Sequence, residues 1–464
     1  MRVDCVIVGG GISGLAAAHE LHRCRIPFVL VEKDGRYGGV IRTEHVDGFV
    51  VDAGPDALLT QKPAAIALCS ELGVDLAPPR STRAFLAHSG RLRALPEAGV
   101  FGIPTDWRSF AASRALSVRG KIRMAAEYLL PRATRSGDES IASFVGRRFG
   151  REAVERLGEP LLAGIHGGDA ARLSMRALFP RFLDLERTDR SVIRGLRRLR
   201  RQWPHAAAPF VSVRGGTETL VQTMVRSLEP SSLLSNVEVS RLEPGDGWRV
   251  HLSTGRHIDA TAVLLATPPR TIRDLVQHVD PALSGLLGSM RDVPLITVAL
   301  AYTRDSIRHP LDGSGFVVAR GEGAAVNAVT WMSSKWSDRA PPDGVLVRAS
   351  VGGARNPAAP SWSNEDLIAR VCDDLRRYLG ISAAPMFTRA YRMPHAGVQM
   401  DVGHHEIVEK AQVRLNEVHG LFVSAAGIRG VGVADCVADA RTQAIAAAEY
   451  IRCRETHDAC AFSG

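Results

Sequence analysis

The sequence predicts an α/β protein in which a doubly wound parallel-sheet domain is interrupted by a mostly helical lobe and a mixed-sheet lobe. Three observations predict it. The first forty residues read as strand, glycine turn, helix and second strand. The last seventy carry a matching strand, turn and helix. Between them the pattern changes from arginine-rich helical periodicity to β-branched runs.

Val3, Val6, Ile7 and Val8 form the opening strand. Gly9, Gly10, Gly11, Ile12, Ser13 and Gly14 carry a G-x-G-x-x-G spacing at the start of a helix bearing Leu15, Ala18 and Leu21. Glycines at these positions permit a tight turn, close approach of backbone to a pyrophosphate, and close helix–strand packing. Residues 28–31 form the second strand, and Glu32 ends it where a carboxylate can bond a ribose hydroxyl. Together these predict a dinucleotide site, and Glu32 argues against a 2′-phosphate there. A second glycine-rich turn follows, with Gly38, Gly39, Arg42 and Thr43 leading into GFVVDAGPDAL (residues 48–58). Near the other end, GLFVSA (residues 420–425) reads as a strand, residues 427–432 as a turn, and Val433 onward as an alanine-rich helix. Both pieces resemble those of amine-oxidase-like flavoproteins, so the resemblance implies FAD rather than NAD. In those proteins the closing helix points its positive end at the pyrimidine end of the isoalloxazine. The sequence holds no second G-x-G-x-x-G for NAD(P)H, so electrons are expected to leave the flavin to oxygen or another acceptor rather than to nicotinamide, which points to an oxidase.

Five segments are expected. They are residues 1–80 and 205–270 of the Rossmann-type FAD-binding domain, a helical lobe at 81–204, a substrate-binding lobe at 271–395, and a closing flavin segment at 396–464. At 464 residues the chain can bury two or three cores. With 45% hydrophobic and 23% charged residues it has the composition of a globular protein, without a run of about 20 apolar residues. The start runs directly into a core strand, which predicts a cytoplasmic protein without a signal peptide. Seven scattered cysteines lack a C-x-x-C pair, and the adjacent His404 and His405 lack ligand spacing, so no structural metal is expected.

The net charge of +9 concentrates in Arg194, Arg197, Arg198, Arg200 and Arg201. Val192, Leu196, Leu199 and Trp203 recur between them at helical spacing, making a basic amphipathic helix. Its arginines suit a solvated face, an anionic membrane surface, a polycarboxylate substrate or an acidic partner. Nucleic acid is not expected, because no binding motif accompanies them.

Motifs along nearly the whole chain resemble the FAD-dependent porphyrinogen oxidases of haem biosynthesis. They are GGGISGLAAAHEL, GDESIASFVGRRFG, LLAGIHGGDAARLS, FVSVRGGTETL, VGGARNP and GVGVADCVADA, in that order. LRALPEAGVFGIPT (residues 92–105) and WMSSKWSDRAPPDGVLVRASVG (residues 331–352) are most similar to the Gram-positive and actinobacterial branch acting on coproporphyrinogen III. The resemblance implies FAD contacts at Gly9 to Gly14, Glu32, Lys33, Gly39, Val40, Arg42, Gly54, Pro55, Asp56 and Ala57. It also implies Val239 on a strand beside the adenine, Met393 flanking the flavin, and Val431, Gly432 and Val433 at the closing helix.

The chain departs from its relatives at several positions. Tryptophan is frequent where Met393 stands, P-Q-Y where Val398, Gln399 and Met400 stand, and G-N-x-Y where residues 425–428 lie. Arginine occurs at the place of Ala84 and a large residue at that of Ser350. The substrate candidates are Lys62, Arg83, Arg91 and Arg93 for propionates, together with Ser350 and Gln399. No catalytic side chain is singled out. Removing hydrogens from the methylene bridges of a tetrapyrrole needs orientation over a flavin more than a strong acid or base. An amine-oxidase-like or natural-product tailoring oxidase, and a flavin- or porphyrin-binding protein without turnover, remain the alternatives. The expected partners are a tetrapyrrole and oxygen, with a membrane or a downstream haem-pathway enzyme as the partner for peripheral contact.

Overall fold

The computed structural model describes residues 1–96, 102–133, 137–202 and 208–461. Trp203 and residues 97–101 of the 92–105 segment lie outside them.

The opening strand, Arg2–Val8, sits at the centre of the first sheet. It pairs in parallel with Phe28–Val31 on one side and His257–Leu265 on the other. Leu233–Leu234 and Leu421–Val423 extend the parallel part, and Gly247–Leu252 and Val239–Gly245 add an antiparallel flank. Cys5, Ile7 and Leu30 face one side and Val6, Val8 and Val29 the other, as strand alternation requires. The helices Ile12–Arg23 and Val433–Ala461 cover the first face through Leu15, Ala18, Val437 and Ala444. Pro269–Val276, Pro281–Gly288 and His404–Glu417 cover the second. Both faces are buried, so the strands read as continuous apolar runs rather than alternating ones.

The second sheet has seven strands. Their order is Phe387–Val398, Asp292–Thr303, Gly344–Gly352, Val326–Trp331, Gly315–Val318, Ala84–His88 and Arg91–Ala94. The helix Asn364–Leu379 packs on one face through Leu367, Val371 and Leu375. The other face carries Ala299, Ala301 and Leu346 and turns toward Phe49 and Trp336. Residues 84–94, which the sequence assigns to the helical lobe, are thus strands of this sheet. Ala84–His88 pairs in parallel with Gly315–Val318, more than two hundred residues away, and local periodicity carries no trace of that.

The helices between Trp107 and Gln202 bury their own cluster, including Phe144, Phe149, Leu162, Phe182, Val192 and Ile193. At its centre Glu127 is fully buried and Arg148 is 1% exposed. Arg148 Nε donates to Glu127 Oε1 at 2.9 Å, and Glu127 also accepts from the Val192 N–H at 2.8 Å. A buried acid therefore meets the positive end of the basic helix Val192–Gln202.

Candidate active site and cofactor cradle

The cradle lies at the carboxyl ends of the parallel strands. Gly9 turns the chain with φ +104°, and the N–H groups of Ile12, Ser13 and Gly14 precede the first intrahelical bond, from Leu15 to Gly11. No side chain caps this helix and no acid stands in its first turn, which leaves an anion-binding end. The three fingerprint glycines differ in what surrounds them. A Cβ on Gly14 would lie 1.8 Å from the Gly9 carbonyl oxygen, so helix and strand meet there without room for a methyl. A Cβ on Gly11 would meet nothing within 4 Å. Gly11 has an ordinary extended backbone, φ −69° and ψ −177°, so its lack of a side chain keeps a space clear.

Glu32 is buried beside this space. Its Oε2 accepts from Gly10 N–H at 2.6 Å and its Oε1 from Asp34 N–H at 2.9 Å. Each oxygen keeps a lone pair for a diol. Thr267 Oγ1 is buried without a partner near Gly9, and Val40 is 48% exposed within the cradle. An open Gly11, an unpartnered hydroxyl and an uncovered valine fit a dinucleotide. Lys33 and Arg42 are exposed at the rim, Arg42 donating to Glu44 at 2.6 Å and lying over the Tyr391 ring.

The Asp56 side chain is held by the protein itself. Its carboxylate turns away to meet Lys335 Nζ at 2.8 Å, Trp336 Nε1 at 3.0 Å and Arg348 Nη2 at 2.6 Å. Burial alone would raise its pKa, but the Arg348 and Lys335 charges and the bonds from Lys335 and Trp336 hold it far below the usual carboxylate range. With its carboxylate so engaged, Asp56 has only its backbone left for the cradle. Val239 is buried in the core of its sheet. Beside Glu32, Val237 N–H donates to the Glu32 carbonyl at 3.0 Å and Glu32 N–H donates to the Leu234 carbonyl at 2.8 Å. Met393 is half-buried opposite Leu295 on the strand Phe387–Val398. Val431, Gly432 and Val433 enter the closing helix, where Asp435 Oδ2 accepts from Gly432 N–H at 3.2 Å. Lys62 Nζ meets both Asp435 oxygens at 2.7 and 2.8 Å, offsetting an acid in the first helical turn.

The substrate candidates are not brought to one place. Lys62 adjoins the closing helix, and Gln399 Nε2 donates to Gly397 O at 2.8 Å and His166 O at 3.3 Å. Gln399 Oε1 is buried without a partner. Ser350 stands in register with Thr297 and Ala328, on the sheet face shared with Arg348 and Leu346. Arg83 is engaged by Asp312 and lies over Phe85. Arg91 and Arg93 belong to the edge strand at the opposite side of the sheet from Met393. Six strand spacings of about 4.8 Å separate those edges by roughly 29 Å. Positive charge suggested these two arginines, and topology places both at the edge far from Met393.

Sequence reasoning missed three contributors. Arg36 donates to the carbonyls of Tyr37 at 3.0 Å and Ile41 at 3.1 Å, and also bonds the Gly39 carbonyl, closing the second glycine turn. Its proximity to Gly38 and Gly39 was the available signal. His166 ends the helix Glu159–His166 with its ring edge-on to Phe179. Burial, aided by the Lys62 charge, lowers its pKa to about 4, so it stays neutral at ordinary pH. Arg348 acts across 292 residues of sequence, and no local pattern marks it.

Residues 12–448 match the family of flavin-containing amine oxidoreductases. The chain belongs to this family. It is an FAD-dependent oxidoreductase of amine-oxidase-like fold. It is 31% identical over 462 residues to the coproporphyrinogen III oxidase of Bacillus subtilis (strain 168), covering 96% of this chain and 98% of that protein. It is 30% identical to protoporphyrinogen oxidase 1, chloroplastic, of Arabidopsis thaliana, covering 96% and 88%. A crystal structure from Exiguobacterium sp. 255-15 superimposes with a TM-score of 0.86 at 29% identity, covering 96% of this chain and 98% of that one.

Proposed function

We propose that this protein oxidises a porphyrinogen, coproporphyrinogen III, to the corresponding porphyrin in haem biosynthesis, with oxygen as the final acceptor and hydrogen peroxide as by-product. The observation that carries the reading is near-complete coverage of a coproporphyrinogen III oxidase at 31% identity, joined to a cradle with a clear space at Gly11. Bound FAD would supply hydride acceptance from a methylene bridge between pyrroles. The chain's own residues bind and orient. Gly11 and the N–H groups of Ile12 and Ser13 would receive the pyrophosphate, Glu32 the ribose, and the backbone of residues 54–57 and 431–433 the flavin end. Lys62, beside the closing helix and paired with Asp435, and Ser350, on the second sheet, are the substrate contacts of this reading. Three two-electron oxidations convert the substrate to porphyrin, so three oxygen molecules are expected to give three peroxides. Oxygen uptake and peroxide formation per porphyrin test this. A ratio near three is expected, and porphyrin formation without oxygen uptake would overturn the choice of acceptor.

A peripheral contact with an anionic membrane is the partner reading that the helical lobe favours. Val118, Ile122 and Leu129 are 73%, 65% and 82% exposed. Next to Leu129 in the chain, Tyr128 joins Arg194, Arg197, Arg198, Arg201 and Gln202 in lining a concavity of about 560 Å³. Apolar tips next to clustered arginines suit insertion at a headgroup boundary. Among the described residues no helix is long and apolar enough to cross a membrane.

A further inference from the structure

The turns of the cofactor cradle are held from outside their own domain. Arg348 sits within Gly344–Gly352, a central strand of the second sheet. Its Nη1 donates to the Gly54 carbonyl at 2.6 Å and the Asp52 carbonyl at 3.3 Å, and its Nη2 to Asp56 Oδ1 at 2.6 Å. One planar guanidinium therefore fixes three points of the turn that leaves the strand Phe49–Asp52.

That turn lies against the next one. A Cβ on Gly54 would stand 2.1 Å from the Val40 carbonyl oxygen, so the two backbones touch. Beside Val40, a Cβ on Gly39 would stand 3.3 Å from Gly11 Cα, and Gly38 forms a β-bridge with Gly11. Contacts thus run without a gap from Arg348 through Gly54, Val40 and Gly39 to Gly11, the fingerprint glycine that keeps its surroundings clear.

We propose that Arg348 is a positioning residue for the flavin cofactor, setting the Gly54 turn and, through the 38–40 turn, the width of the cradle at Gly11. This rests on the assignment of Gly9 to Gly14 and residues 54–57 to FAD. Neutralising Asp56 is not what distinguishes Arg348, because Lys335 and Trp336 already bond the other carboxylate oxygen. Its distinct contribution is simultaneous donation to Gly54, Asp52 and Asp56. A lysine has one ammonium at the end of a flexible stem and cannot span the three. Ser350 stands two residues along on the same sheet face, so one strand would both floor the substrate region and key the cofactor turn.

Three variants of the holoenzyme, R348M, R348K and G11V, dialysed against graded FAD, test the proposal. R348M is expected to bind FAD at least tenfold more weakly than the parent, with an unchanged far-ultraviolet spectrum and a thermal midpoint at saturating FAD within a few degrees. R348K is expected to recover part of that affinity. The visible circular dichroism of its bound flavin should differ from the parent, because the turn is held at fewer points. FAD affinity of R348M within twofold of the parent would overturn the proposal. So would loss of folded structure in both Arg348 variants, which would make the residue structural only. G11V separates the two levels of inference. If it keeps normal FAD affinity, the cradle assignment has failed and takes the proposal with it. If G11V loses flavin while R348M keeps it, only the role of Arg348 is wrong.

Discussion

Replacing Gly11 by valine separates cofactor binding from folding. Its backbone is extended and, chain neighbours apart, no atom lies within 4 Å of a Cβ built there, so a branched side chain is compatible with the backbone and its first carbon meets open space. The same three carbons project into the space kept for a pyrophosphate at the helix N-terminus. Hydrogen bonds from backbone N–H to a charged phosphate contribute about 1.5–3 kcal/mol each. Losing two of them weakens binding by about 3–6 kcal/mol, or roughly two to four decades in Kd. Gly14→Ala gives the contrast, because its Cβ would stand 1.8 Å from the Gly9 carbonyl oxygen and the helix must move off the strand. Gly11→Val should therefore be folded and colourless, and Gly14→Ala should show a lowered thermal midpoint. Flavin content from the visible spectrum and unfolding by circular dichroism check both. Stoichiometric FAD in Gly11→Val would refute the reasoning.

Three further perturbations act elsewhere. Glu127→Gln removes the nearer of the two carboxylates on the buried Arg148, leaving Glu186 at 3.4 Å, and should destabilise the protein by about 3 kcal/mol in denaturant unfolding; a loss under 1 kcal/mol would contradict a buried ion pair there. His166 has a pKa lowered to about 4, so between pH 6.5 and 4 the unfolded chain takes up a proton that the folded one refuses. Stability from this group is complete above pH 6.5 and is lost as pH falls toward 4, by up to about 3 kcal/mol. His166→Phe should flatten that part of the stability–pH curve, and an unchanged slope would count against a neutral, half-buried imidazole. Ile122→Glu with Leu129→Glu should abolish co-sedimentation with anionic phosphatidylglycerol vesicles while leaving oxygen uptake with dissolved substrate intact. Absence of vesicle binding by the parent protein would end the membrane reading.

Much of the cofactor domain was legible in the sequence because its signals are local. Gly9, Gly11 and Gly14 announce a turn whose geometry each glycine needs for a separate reason, and Glu32 follows at the end of a continuous apolar strand. The closing helix was legible from its alanine run, which packs directly on Ile12–Arg23. What could not be read depends on distant pairing. The strands at 84–94 find their partner only at 315–318, and Asp56 finds its cations at 335 and 348. Charge alone nominated Lys62, Arg83, Arg91 and Arg93 together, and Arg83 is engaged by Asp312. The fold sets Lys62 against the closing helix and leaves Arg91 and Arg93 on a remote strand edge. Val239 carries no local mark either: a strand valine looks alike whether it faces a core or a ligand, and its side chain lies in the core of the first sheet.

The central claim is that a porphyrinogen delivers its hydrogens to the flavin of this protein. Anaerobic stopped-flow mixing of the oxidised holoenzyme with coproporphyrinogen III and with protoporphyrinogen IX measures that step alone, without dependence on oxygen. Rapid bleaching of the flavin band by coproporphyrinogen III is predicted, at a higher rate than with protoporphyrinogen IX. A clear preference for protoporphyrinogen IX would contradict the substrate assignment, and no bleaching by either would contradict the porphyrinogen reading itself.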